Sequence, residues 1–216
     1  MTWYAAEVLA TCNPLLLEAV KSDPALAARS YLIRESINFE LNGSEYSFKP
    51  PQGGLLVIRP VCDPKEHCAD WHEERVLSWH SLVGPDEIET ISPKALGSDI
   101  NDEMLSEFPP ASFFSYLKKL SGTTNARLAF FYCFMWGGDT EFEHLWLFGE
   151  REEAALVLEP GVKSKVVQVS AGGNVQHREA DLLADALAYM GAPIPSSFWA
   201  PHTRGFPWEQ YKLVLR

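Results

Sequence analysis

The stretch ARLAFFYCFMWGGDTEFEHLWLFG, Ala126 to Gly149, is the most apolar and aromatic part of the chain, and its reading decides the fold. Two extended runs flank Gly137-Gly138-Asp139-Thr140. Successive side chains of a strand point to opposite faces. On the first run one parity collects Ala126, Leu128, Phe130, Tyr132, Phe134 and Trp136, and the other Arg127, Ala129, Phe131, Cys133 and Met135. Both are apolar, so both faces should be covered, which marks an interior strand. A buried helix competes for the same pattern, but the aromatic content and the Gly-Gly stop favour a strand. On the return run Phe142, His144, Trp146 and Phe148 share one face, and Glu141, Glu143, Leu145 and Leu147 the other. That second face is acidic near the turn and apolar beyond it, so it should emerge from the core at the turn end. Each aromatic side chain buried here contributes roughly 2–3 kcal/mol of transfer free energy. The hairpin is therefore expected to dominate stability.

Working outward, Ala154–Leu158 and Lys163–Val169 read as two further strands around Glu159-Pro160-Gly161, a meander within residues 126–169. After Ser170-Ala171-Gly172-Gly173-Asn174, the spacing of Val175, Glu179, Leu182, Leu183, Ala186, Leu187 and Met190 predicts a helix over 175–190, stopped by Gly191 and Pro193. The tail, 195–216, should be held by Trp199, Phe206, Trp208 and Tyr211, with a last strand at Tyr211–Leu215. Upstream, Ser112 should cap a helix FFSYLKKL that Gly122 closes. Residues 1–36 read as short helices, the first from a Thr2 cap towards Thr11, the next two started by Asn13-Pro14 and Asp23-Pro24. Asn42-Gly43 between Ile37–Leu41 and Glu45–Phe48 is a hairpin signal. Leu55–Arg59 reads as a short buried strand ended by Pro60. The expected architecture is a single α+β domain over 1–216, an antiparallel meander covered by N-terminal helices and one late amphipathic helix.

The chain has 216 residues, enough for a sizeable core, with 46% hydrophobic and 22% charged residues, an ordinary globular composition. Its formal net charge of −11 argues against nucleic acid, whose phosphates are bound by Lys and Arg releasing counterions. The same charge suits a basic protein partner. The N-terminal residues lack a cationic head, and no apolar run reaches the ~18 residues of a membrane span. The four cysteines, Cys12, Cys62, Cys68 and Cys133, show no disulfide framework, so the cytoplasm is the expected location.

Four constellations bear on chemistry. Cys62, His67, Cys68 and His72 lie within eleven positions and offer zinc-type ligands, although the paired Cys-x2-Cys knuckle is absent and His72-Glu73-Glu74-Arg75 is followed by Val76 rather than completing HExxH. A metal-dependent hydrolase using this cluster is the alternative functional reading; the leading one has no cofactor. Gly172-Gly173, read as a strand-to-helix turn, offers N–H groups to a phosphate but lacks a nucleotide-binding pattern. Cys133 and His144 read as core residues, with His144 the candidate general base if one is needed; His177 is placed in the first turn of the late helix, and His202 should orient the tail through a backbone hydrogen bond. Finally, residues 86–107 hold seven acids against Lys94 alone, a net of −6. Together with the hairpin turn they make a candidate partner-binding surface of Asp99, Asp102, Glu103, Glu107, Trp136, Asp139, Glu141 and Glu143, in which the aromatic anchors and the acids steer. A second acidic group, Glu150, Glu152 and Glu153, should lie at the opposite end of the meander.

The FFYCFMWGGDTEFEHLWLFG hairpin and the acidic stretch Asp86–Glu107, the central half of the chain, resemble the immunity proteins of bacterial polymorphic toxin–immunity pairs. The resemblance implies a cytoplasmic antidote that binds a cognate toxin and occludes its active site. A basic toxin would fit the charge.

Overall fold

The computed structural model describes residues 3–41, 43–59, 111–136, 139–161, 163–194, 200–202 and 206–214. It is an α+β fold around an eight-stranded antiparallel sheet. In chain order the elements are β1 (Trp3–Thr11), α1 (Pro14–Ser22), α2 (Pro24–Ala27), β2 (Ser30–Ile33), β3 (Ile37–Leu41), β4 (Ser44–Phe48), β5 (Leu55–Ile58), α3 (Ala111–Thr124), β6 (Leu128–Trp136), β7 (Asp139–Phe148), β8 (Glu153–Glu159), β9 (Ser164–Ser170), β10 (Val175–Ala180) and α4 (Leu182–Tyr189). The large sheet runs β10-β9-β8-β7-β6-β1-β5-β2, and β3 and β4 form a separate hairpin.

The hairpin read from Ala126–Gly149 is present as β6 and β7, with Leu128 opposite Phe148 at one end and Trp136 opposite Asp139 at the other. Both faces of β6 are buried. Leu128, Phe130 and Tyr132 enter one core, and Ala129, Phe131 and Cys133 the other. The first core is filled from α1 and α3 by Leu16, Val20, Phe113, Phe114, Leu117 and Leu120. The second takes Leu182, Leu183, Ala186 and Leu187 of α4, with Phe48 and Trp208. Residue register draws one row across every strand of the sheet: Ser30, Ile58, Val8, Phe130, Trp146, Ala154, Val169 and Val175. The row is buried from Ser30 to Phe130 and opens to solvent at Val175, which is 47% exposed.

Three expectations are corrected. Residues 3–11 are not a helix but β1, paired with β5 on one side and β6 on the other. A Thr2 cap suggested a helix, and the alanines of this stretch have another role. In the sheet they are the small partners that bulky neighbours require, with Ala6 opposite Tyr132 and Ala10 opposite Leu128. Cross-strand packing overrides intrinsic preference at such positions. The third N-terminal helix stops at Ala27, and Ser30–Ile33 instead pairs with β5. The late helix begins at Leu182, not Val175: Val175–Ala180 is β10, and Asp181 caps α4 by accepting the Ala184 N–H at 2.9 Å.

Two smaller corrections concern helix ends and the tail. Gly122 lies inside α3, and Asn125 in the left-handed conformation (φ 51°) follows its last residue. Asn13 serves two helices. Its carboxamide oxygen accepts the Leu16 N–H of α1 at 2.9 Å, and its nitrogen donates to the Thr124 carbonyl at the end of α3 at 2.9 Å. In place of the last strand, a 3-10 helix at Trp208–Tyr211 leads to one bridge, Tyr31 to Lys212, and Leu213 N–H donates to the Ser30 carbonyl at 2.8 Å. The Asn42-Gly43 hairpin signal matches β3–β4, although Asn42 itself lies outside the described residues.

Phe130 meets Phe113, Phe114 and His144 edge-on, with ring centroids at 5.8, 5.6 and 5.5 Å. Replacing it by Ala should cost about 3–5 kcal/mol in urea unfolding. The same change at Leu15, which is 62% exposed, should stay within roughly 0.5 kcal/mol.

Candidate functional site

The most unusual chemistry among the described residues is a charge cluster inside the second core. In β1, Ala5, Glu7 and Leu9 point to the face covered by the tail, so Glu7 stands in the middle of an apolar surface opposite Phe131. Its Oε1 lies 3.0 Å from Arg59 Nε, and its Oε2 lies 2.8 Å from His202 Nε2. The side chains are nearly sealed, at 1% exposure for Glu7, 2% for Arg59 and 8% for His202. The Arg59 guanidinium rests 4.4 Å from the Trp208 ring centroid, and the His202 ring stacks on Phe131 at 6.0 Å. The sequence reading gave His202 a backbone hydrogen bond; its Nε2 meets a carboxylate. A carboxylate on an imidazole nitrogen fixes the ring's orientation. Here the ring lies against Phe131, so the cluster ties the tail to the sheet. The sequence signal for it is a lone Glu within WYAAEVLA.

A second feature lies on the other face. A groove of about 430 Å³ runs between α3 and the ends of β7, β8 and β9, lined among others by Phe114, Lys118, Trp146, Glu152, Val169 and Val175. Phe114 and Trp146 form its aromatic floor with centroids at 4.3 Å. Lys118 and Glu152 pair across its rim at 2.8 Å.

Of the sequence-derived partner residues, Asp99, Asp102, Glu103 and Glu107 lie outside the described residues, as does the Cys62, His67, Cys68 and His72 cluster. Trp136, Asp139 and Glu141 are placed by their backbone at the turn end of β6 and β7. Glu143 sits opposite Cys133 and is half-buried. Desolvation, and then the charge of Asp181, push its pKa up to about 7. Thus it is not a fully solvated surface acid. The Cys133 thiol is buried and its pKa is raised by desolvation and by Glu143. His144 is fully buried, with Tyr132 edge-on at 4.9 Å, and burial pushes its pKa down to about 3, which holds the ring neutral.

The second acidic group is locally balanced. Glu150 pairs with Arg127 at 3.0 Å, Glu152 with Lys118 at 2.8 Å and Glu153 with Arg151 at 2.6 Å. His177 is corrected from a helix turn to an exposed position on β10. Gly172-Gly173 joins two strands, so no helix N-terminus is there to receive a phosphate. Among the described residues, no three His, Cys, Asp or Glu side chains converge as metal ligands would, and no helix is long and apolar enough to cross a membrane. No family model, curated protein or solved structure matches this chain.

Removing one member of a buried ion pair strands the other. Glu7→Ala should therefore destabilise the fold by about 3–5 kcal/mol in chemical unfolding. Glu143 has the opposite sign. Its folded-state pKa, about 7, lies above the ordinary 4.5, so the folded chain holds a proton that the unfolded chain has released. Its contribution is most favourable below 4.5 and is lost as pH rises towards 7. Glu143→Gln should raise stability at pH 8 by on the order of 2 kcal/mol, change little at pH 4, and flatten the measured stability between them.

Proposed function

We propose that this chain is a non-enzymatic antidote: it binds a basic toxin protein and occludes the toxin's active site. The observation that carries the reading is where the negative charge lies. Residues 60–110 hold twelve acids against three bases, a net of −9 out of −11, while the rest of the chain holds seventeen acids against fifteen bases. In that remainder several surface carboxylates already have cationic neighbours, from Arg127–Glu150 to Lys165–Glu159. A chain that concentrates its excess charge in one stretch, on a body close to neutral, is built to steer an oppositely charged macromolecule. The buried Glu7–Arg59–His202 cluster serves the fold in this reading, because its groups are engaged with one another and sealed from solvent.

The test uses the full chain and the purified basic protein encoded beside it. The expected result is a nanomolar complex that abolishes the partner's toxicity. Its association rate should fall about tenfold or more as ionic strength rises from about 0.05 to about 0.5 M. Changing Asp99, Asp102, Glu103 and Glu107 together to their amides should slow association similarly and leave the unfolding midpoint unchanged. Absence of a complex, or one indifferent to salt, would overturn the reading. Stoichiometric zinc that is lost on replacing Cys62 and His72, with hydrolytic activity lost alongside it, would replace it with the metal-dependent hydrolase.

A further inference from the structure

The two edges of the large sheet end differently. At the β2 edge the tail closes the sheet, with Lys212 bridged to Tyr31 and Leu213 N–H on the Ser30 carbonyl. At the β10 edge, no strand among the described residues pairs with the outer side. The β9–β10 turn fixes which groups face outward. Ser170 N–H donates to the Asn174 carbonyl at 3.0 Å and Gly173, at φ +75°, donates to the Ser170 carbonyl at 2.8 Å. Antiparallel alternation then turns the N–H and C=O of Gln176, Arg178 and Ala180 towards β9, and those of Val175, His177 and Glu179 outward.

The side chains of that outward set lie on the same face as the groove. Trp146, Ala154, Val169 and Val175 are successive partners in register, and all four line it. The apolar row that begins at Ile58 and Val8 thus runs along the groove to the sheet edge and stops there with Val175 half in water. The next position in the row belongs to a strand this chain does not supply among its described residues. At the other end of β10, Glu179 is exposed, and its register partner Lys165 is already held by Glu159 at 2.6 Å. Two carboxylates share one ammonium there.

We infer that β10 receives an extended segment of a partner protein as a ninth, antiparallel strand, with a basic side chain opposite Glu179 and a large apolar one opposite Val175. Alternation along a strand puts these two side chains on one face, four positions apart. Strand addition of this kind draws affinity from main-chain hydrogen bonds and specificity from alternate side chains. The apolar side chain continues the Trp146–Val175 row, and the basic one answers the surplus carboxylate. The inference rests on the antidote reading for the identity of the partner, and on the sheet alone for the site.

The probe is a capped, labelled peptide, Ser-Lys-Thr-Thr-Thr-Phe-Ser, titrated with the full chain by fluorescence anisotropy. Saturable binding is expected, weakened about tenfold when Phe is changed to Ser or Lys to Glu in the peptide. His177→Pro removes one outward N–H at a position where an edge strand tolerates proline, and Val175→Asp charges the end of the row; each should weaken binding about tenfold with the circular dichroism unchanged. No binding, or equal binding by both variants, would overturn the assignment. So would a full chain that sediments as a dimer and becomes monomeric on Val175→Asp, because a second copy would then own the edge. If Val175→Asp leaves the toxin complex at full affinity, the strand assignment fails and the antidote reading stands. If the unsubstituted chain forms no neutralising complex, the antidote reading fails and the edge is judged by the peptide.

Discussion

A strand in the middle of an eight-stranded sheet, covered on both faces, has no side left for water. That constraint falls on β1 and shapes most of what surrounds it. Ala6 and Ala10 are small because β6 brings Tyr132 and Leu128 opposite them. Glu7 shares this environment and cannot be left alone, since an isolated carboxylate in an apolar interior is far costlier than one matched by cations. Arg59 arrives at the end of β5, His202 arrives from the tail, and Trp208 covers the guanidinium. The tail is thereby ordered by a need that arises at the seventh residue. One face of the sheet is closed by α1 and α3, and the other by α4, the small hairpin and this tail.

What could be read in advance followed from patterns local to one segment. The β6–β7 hairpin was legible because both parities of Leu128–Trp136 are apolar and a glycine pair breaks the run. The meander through β8 and β9, the β3–β4 hairpin, β5 and α3 were legible for similar reasons. What was not legible depended on partners far away. β1 looks helical alone, and its strand character comes from β5 and β6. β10 carries an apolar spacing that runs on smoothly into α4, and only the Asp181 cap marks where the helix begins. The Glu7–Arg59–His202 cluster joins three residues that no local window contains. Of the proposed partner surface, the charge pattern was plain in the sequence. The half-burial of Glu143 was not, because it depends on which elements cover the face that Glu143 shares with Leu145 and Leu147.

The chemistry of the described body divides by face. On the tail side, ionisable groups are matched and sealed, as in the Glu7 cluster, or shifted towards neutrality, as in Glu143. On the α3 side, an aromatic floor opens into a groove and a sheet edge, with its charged residues on the rim. The first arrangement maintains the fold, and the second offers surface.

The order of strands also bears on how the chain is made. Synthesis proceeds from the N-terminus, so β1 leaves the ribosome first and finds β5 within the next several dozen residues. Its other neighbour, β6, comes only after α3. Until β6 is made, the β1 edge that it covers in the fold has no partner, and His202, the second partner of Glu7, lies 195 positions further along the chain. Contacts between elements far apart in sequence form slowly, and strand edges left unpaired in the meantime favour misassembly. The acidic stretch emerges between those two neighbours, and its mutual repulsion would keep nascent chains apart during that interval.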